Sequence, residues 1–96
     1  MTAVRFAAAA VGDLEGLILT LSLPADTRSR VVASLRALER FPEIGPELAG
    51  RWSGLRFLLG PWRWLLLVYE YDALADRVVV LTIQDARSST AARGSS

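Results

Sequence analysis

Residues 62–87, WRWLLLVYEYDALADRVVVLTIQDAR, form the stretch that decides the fold. Two strongly apolar runs, Trp62 to Asp72 and Arg77 to Arg87, flank the short link Ala73 to Asp76, which is the pattern of a β-hairpin with a four- or five-residue connection. A turn centred near Leu74 that sets Tyr71 opposite Arg77 continues as Tyr69 opposite Val79, Leu67 opposite Leu81, Leu65 opposite Ile83 and Arg63 opposite Asp85. Arg87 then neighbours Arg63 diagonally. A third run, Leu55 to Leu59, precedes the dipeptide Gly60-Pro61, and a two-residue turn there puts Arg56 across from Leu65. In this register Arg56, Arg63 and Arg87 share one sheet face, with Tyr69 and Tyr71 further along it. A one-residue slip in either turn moves the affected arginine to the other side.

Working outward towards the N-terminus, Val4 to Phe6 predicts a short first strand. Ala7 to Leu21 predicts a helix, because Leu14, Leu17, Ile18 and Leu21 recur at helical spacing until Pro24 interrupts. Asp26 or Thr27 can cap a second helix whose apolar stripe is Val31, Leu35 and Leu38, ending at Phe41-Pro42. Glu43 to Gly54, with three glycines and Pro46, reads as a loop. The order strand, helix, helix, strand, strand, strand predicts an α+β domain over residues 1–87, with two N-terminal helices packed on a mainly antiparallel four-stranded sheet. Residues 88–96, SSTAARGSS, have little to bury and are expected to form a flexible polar tail.

Composition narrows the chemistry. The chain has 96 residues, enough for one domain, and 52% of them are hydrophobic. No run reaches the roughly 18 apolar residues of a membrane helix, and Asp13 and Glu15 interrupt the alanine-rich start where a signal peptide would be apolar. A cytoplasmic protein without membrane contact is therefore expected. There is no cysteine and no histidine, which removes disulfides, thiolate and imidazole metal sites and a thiol nucleophile, so neither metal nor cofactor is expected. All 11 basic residues are arginine. Guanidinium stays protonated, so it clamps anions but does not serve as a base. The net charge of +1 does not by itself call for nucleic acid.

Both faces of the predicted hairpin are apolar: Leu65, Leu67, Leu81 and Ile83 on one, Trp64, Leu66, Val68, Val78 and Val80 on the other. Two helices cover one set. The other, taken as Leu65, Leu67, Leu81 and Ile83, is expected to meet a partner chain, either a second copy or another protein.

The succession DLEGL (13–17), LERFP (38–42), GLRFLLGPWRWLLLVYEYD (54–72) and DRVVVLTIQDAR (76–87) resembles the RelE/ParE superfamily of toxins from bacterial type II toxin–antitoxin systems, over nearly the whole chain. Its most specific part is the Leu55-Arg56, Trp62-Arg63 and Tyr69 to Asp72 succession followed by an apolar strand ending in arginine. The resemblance implies a microbial-ribonuclease-like fold, neutralised by a cognate antitoxin; a homodimer without the antitoxin is the alternative occupant of the apolar face. It also implies an endoribonuclease acting on ribosome-bound messenger RNA. Arg63 and Arg87 match the arginines that would hold the scissile phosphate, with Arg56 as a helper; Arg51 and Trp52, in the glycine-rich loop, are candidates for RNA contact, Trp52 by base stacking. The chain departs from the pattern in lacking lysine and in carrying Ser88, Ser89 and Thr90 where relatives often have histidine or tyrosine. Glu43, Glu47, Asp85, Tyr69 and Tyr71 are then the remaining proton carriers, and Arg63 opposite Asp85 would depress the latter's pKa. The ParE-type branch, which poisons DNA gyrase without cutting RNA, is the alternative the resemblance leaves open, together with a catalytically degenerate interaction module. Without the resemblance, Arg63 and Asp85 would read as a cross-strand ion pair of about 0.2–1 kcal/mol.

Overall fold

A computed structural model describes residues 1–87; the predicted polar tail lies outside the described residues. Its elements are β1 (Ala3–Phe6), α1 (Ala8–Leu21), α2 (Thr27–Ser34), β2 (Arg56–Leu59), β3 (Leu65–Asp72) and β4 (Arg77–Asp85), with short 3-10 turns at Arg36–Glu39 and Gly50–Trp52. The four strands form one sheet in the order β1-β4-β3-β2. β1 runs parallel to β4, and the other two pairings are antiparallel. This is the α+β architecture expected from the element order.

α1 ends where Ser22 enters the left-handed region at φ 52°, its N–H returning to the Ile18 carbonyl, and Pro24 prevents continuation. At the start of α2 the Asp26 side chain makes no capping bond. Instead the buried Thr27 hydroxyl donates to the Pro24 carbonyl at 2.6 Å. Ala10 and Leu14 of α1, with Val31, Leu35 and Leu38 beyond it, pack on Leu65, Leu67, Tyr69, Val78, Val80 and Ile83 of the sheet. Burying a leucine or valine side chain contributes on the order of 1.5–3 kcal/mol, so this two-layer contact dominates the fold's stability. Past the end of β1, Asp13 of α1 takes over β4's free edge, accepting from the Thr82 hydroxyl at 2.6 Å and the Ile83 N–H at 3.1 Å.

The hairpin register differs from expectation near its turn. Asp72, not Tyr71, faces Arg77, and a bulge between Val68 and Tyr69 then restores the alternation, so that Leu67 faces Ile83 and Leu65 faces Asp85. The cause of the slip is local: the Asp72 carboxylate accepts from the N–H groups of Leu74 and Ala75, closing the turn over 73–76 with Asp76 at φ 51°. In consequence Val78 and Val80 join the face of Tyr69, Leu67, Leu65 and Ile83, while Leu81 drops out of the pairing and is half-buried. Leu65, Leu67 and Ile83 are thus core residues beneath the helices, and the expectation that they and Leu81 form a partner surface is corrected.

The link between β2 and β3 is longer than two residues. It runs from Gly60 to Trp64, closed by Gly60 N–H to the Leu65 carbonyl at 2.8 Å and Leu65 N–H to the Trp62 carbonyl at 3.1 Å. Arg56 therefore faces Tyr69 rather than Leu65.

Candidate functional site

Arg63 lies in the turn just before β3, exposed to solvent, and Arg87 just after β4. The Ala86 N–H donates to the Trp64 carbonyl at 2.7 Å, which extends the ladder one step past the strands and brings the backbones of residues 63 and 87 to the same corner of the sheet. The backbones of residues 63 and 87 are therefore close, while Arg63 faces no residue of β4 and Leu65, not Arg63, pairs with Asp85.

Arg56 does not join them. At the level of Tyr69 it stands five residues along the sheet from Trp64, about 16 Å at roughly 3.3 Å per residue. Its guanidinium faces the preceding loop, donating to the carbonyls of Glu43 (3.1 Å) and Gly45 (2.8 Å) and pairing with the carboxylates of Glu43 (3.5 Å) and Glu47 (3.3 Å). The fully buried Tyr69 hydroxyl accepts the Gly45 N–H at 3.0 Å beside it. Arg56 is a clamp on the loop, and the expectation that it helps hold a phosphate is corrected on these contacts.

At the corner, the Trp62 and Trp64 rings stack with centroids 5.4 Å apart and planes 8° from parallel. A guanidinium sits over each: Arg30 of α2 over Trp62 at 4.8 Å, and Arg87 over Trp64 at 4.1 Å. Such contacts stabilise by about 0.5–1 kcal/mol at exposed sites. Trp64 is half-buried and also packs on the core. Arg87 further donates through Nε and Nη2 to the two Asp85 carboxylate oxygens at 3.0 and 3.1 Å. Arg51 is exposed and Trp52 half-buried in the turn Gly50–Trp52, in the loop leading to β2 and not on the corner's own segments.

The electrostatics follow from these contacts. The hydrogen bonds from Arg87 hold the Asp85 carboxyl below its ordinary range and raise the Arg87 guanidinium in turn; the depressing partner is Arg87, where Arg63 was expected. Burial pushes the Tyr69 phenol up, and its hydroxyl is enclosed. The Tyr71 hydroxyl donates to Asp76 at 3.1 Å, which raises its pKa. Asp85 thus stays a carboxylate. The arrangement suits binding an anion with fixed positive groups better than moving a proton. Among the described residues, no group of three or more acidic, histidine or cysteine side chains could hold a metal ion, and no helix is long and apolar enough to cross a membrane.

The tryptophan stack and Arg30 were not foreseen. Trp62 and Trp64, two apart, carry a signal of shared direction, whereas nothing in the order of residues links Arg30 to them.

No protein-family model and no curated protein matches the chain. Solved structures do. A chain of the toxin–antitoxin complex RelBE2 from Mycobacterium tuberculosis is 26% identical with a TM-score of 0.68, over 88% of this chain and 96% of that one. A chain of the chromosomal ParDE toxin–antitoxin system of P. aeruginosa shares the fold at TM-score 0.67 and 14% identity, over 88% and 96%. A metal-bound toxin from Helicobacter pylori does so at TM-score 0.60 and 16% identity, over 88% and 94%. Two helices on a four-stranded, mostly antiparallel sheet, matched across nearly the full length of such chains, give this protein the fold of RelE/ParE-type toxins.

Proposed function

We propose that this chain is the toxin of a type II toxin–antitoxin pair that stops translation by cleaving messenger RNA on the ribosome, with Arg63 and Arg87 holding the scissile phosphate. The observation that supports the reading is the Ala86-to-Trp64 backbone bond, which brings the backbones of residues 63 and 87 close at one exposed corner of a fold shared, at 26% identity, with a chain of RelBE2. Planar guanidinium groups suit a phosphate whose oxygens gain charge in the transition state. With Asp85 held ionised and Tyr69 enclosed, the proton transfers fall to groups of the ribosome or the message. The antitoxin is expected to cover apolar side chains left exposed on the helices and the loop after them, among them Leu19, Val32, Phe41 and Ile44. In its absence a second copy would serve that surface.

The test programmes purified ribosomes with a defined message and maps new 5′ ends by primer extension. Cuts at the ribosomal decoding position that vanish with Arg63→Ala support the reading, and an intact message at saturating protein rejects it. The second reading, a gyrase poison, is favoured by one observation: Asp85, hydrogen-bonded to Arg87, is engaged by it and depressed, so among the described residues the corner offers no free acid or base. Inhibited supercoiling by purified gyrase, with the message intact, would select it.

A further inference from the structure

Arg87 is held from two sides. Its plane lies over the Trp64 ring at 4.1 Å, and its Nε–Nη2 edge is occupied by Asp85. A guanidinium has five N–H donors; among the described residues Asp85 engages two, leaving three, on Nη1 and Nη2. Those three include the end-on fork, the second of the two edges that can grip an oxyanion with parallel bonds. Trp64 in turn is fixed by the Trp62 ring, which carries Arg30 of α2, and by the core. An arginine side chain left free would give up on the order of 2 kcal/mol of rotamer entropy on binding. One already seated on a ring and a carboxylate has less to lose.

From this geometry we infer that Trp64 is a positioning residue for Arg87: its ring, backed by Trp62, holds the guanidinium so that the free fork points at a phosphate of a single-stranded RNA. The same stack leaves neither Trp62 nor Trp64 as an open platform for a base. Trp64 acts through Arg87 and touches no RNA. This rests on the reading of Arg87 as a phosphate-binding group, and the test separates the two.

The test is a double-mutant cycle on binding, kept apart from cleavage. Affinity of the full chain for a fluorescein-labelled single-stranded RNA oligonucleotide is measured by anisotropy at low salt for the parent, Trp64→Leu, Arg87→Ala and the double variant. Trp64→Leu is expected to weaken binding roughly two- to fivefold in the parent, the size of an exposed cation–π contact, and to change nothing once Arg87 is alanine. Trp64→Phe, which keeps a ring, should retain most of the affinity and supplies the same comparison should the leucine variant unfold. Equal losses in both backgrounds would assign Trp64 to ordinary packing and overturn the inference, while leaving Arg87 as a phosphate ligand. No loss from Arg87→Ala, or no binding by the parent chain, overturns both. Coupled losses without any cleavage on ribosomes sink the nuclease reading alone.

Discussion

At the residue scale, Asp76 shows how much a single side chain settles. It sits at φ 51°, a region aspartate tolerates better than most residues, and its Oδ1 accepts from the Thr2 hydroxyl at 2.7 Å and the Tyr71 hydroxyl at 3.1 Å. These bonds, Thr2 foremost, hold its pKa below the ordinary 3.8. A carboxyl whose folded pKa is depressed stabilises the fold above the unfolded value and loses that contribution as pH falls through the folded one. Unfolding free energy should therefore decline as pH drops from about 4 downward, and Asp76→Asn, measured by denaturant titration, should flatten that part of the profile. An unchanged slope in the variant would mean that Asp76 carries none of it. The same scale shows what the sequence could reveal about the site. Arg63 and Arg87 stand at the outer ends of two apolar runs, and hairpin geometry predicts that the backbones of such ends come close, as the Ala86 N–H to Trp64 carbonyl bond shows for the strand ends. The partner of Asp85 was misread because Arg87, two residues on, folds back on it, a local contact that no cross-strand ladder describes.

At the scale of elements, the loop before β2 and the strand itself are one unit. Arg56 holds the carbonyls of Glu43 and Gly45, and Tyr69 takes the Gly45 N–H. A Cβ on Gly45 would collide with the Phe57 carbonyl and press on the Tyr69 hydroxyl. Arg56→Ala should therefore lower stability by about 1–3 kcal/mol, the range for losing a charged donor to part-buried acceptors, in thermal or chemical denaturation. RNA affinity, normalised to folded protein, should change far less than on Arg87→Ala. Tyr69→Phe strands the buried Gly45 N–H and should cost about 1–3 kcal/mol; a neutral result would require that N–H to find another acceptor. The element order and layer arrangement were legible because apolar spacing changes period between Leu14, Leu17, Ile18, Leu21 and the strands. The face assignment was not. Asp72 shortens the turn by one residue and the bulge at Val68/Tyr69 adds a second offset that restores the alternation, so Leu65, Leu67 and Ile83 share the core face with Val78 and Val80. A period of two carries no mark of where a ladder skips a residue.

For the whole molecule, the fold is that of RelE/ParE-type toxins, while its 11 arginines, without lysine or histidine, supply fixed positive charge suited to anions. Of the three arginines first grouped together, Arg63 and Arg87 leave the sheet at one corner, where Arg87 lies over the Trp64 ring, and Arg56 braces a loop. The claim at the centre of this account is that the corner of Arg63 and Arg87 acts on messenger RNA during translation. The most direct measurement is transcriptome-wide 5′-end mapping after brief induction of the chain in growing cells, alongside an Arg63→Ala/Arg87→Ala variant confirmed as folded by circular dichroism. The account predicts growth arrest with new ends inside translated regions, both abolished in the double variant. Arrest with intact transcripts, or cuts that persist without the two arginines, would contradict it.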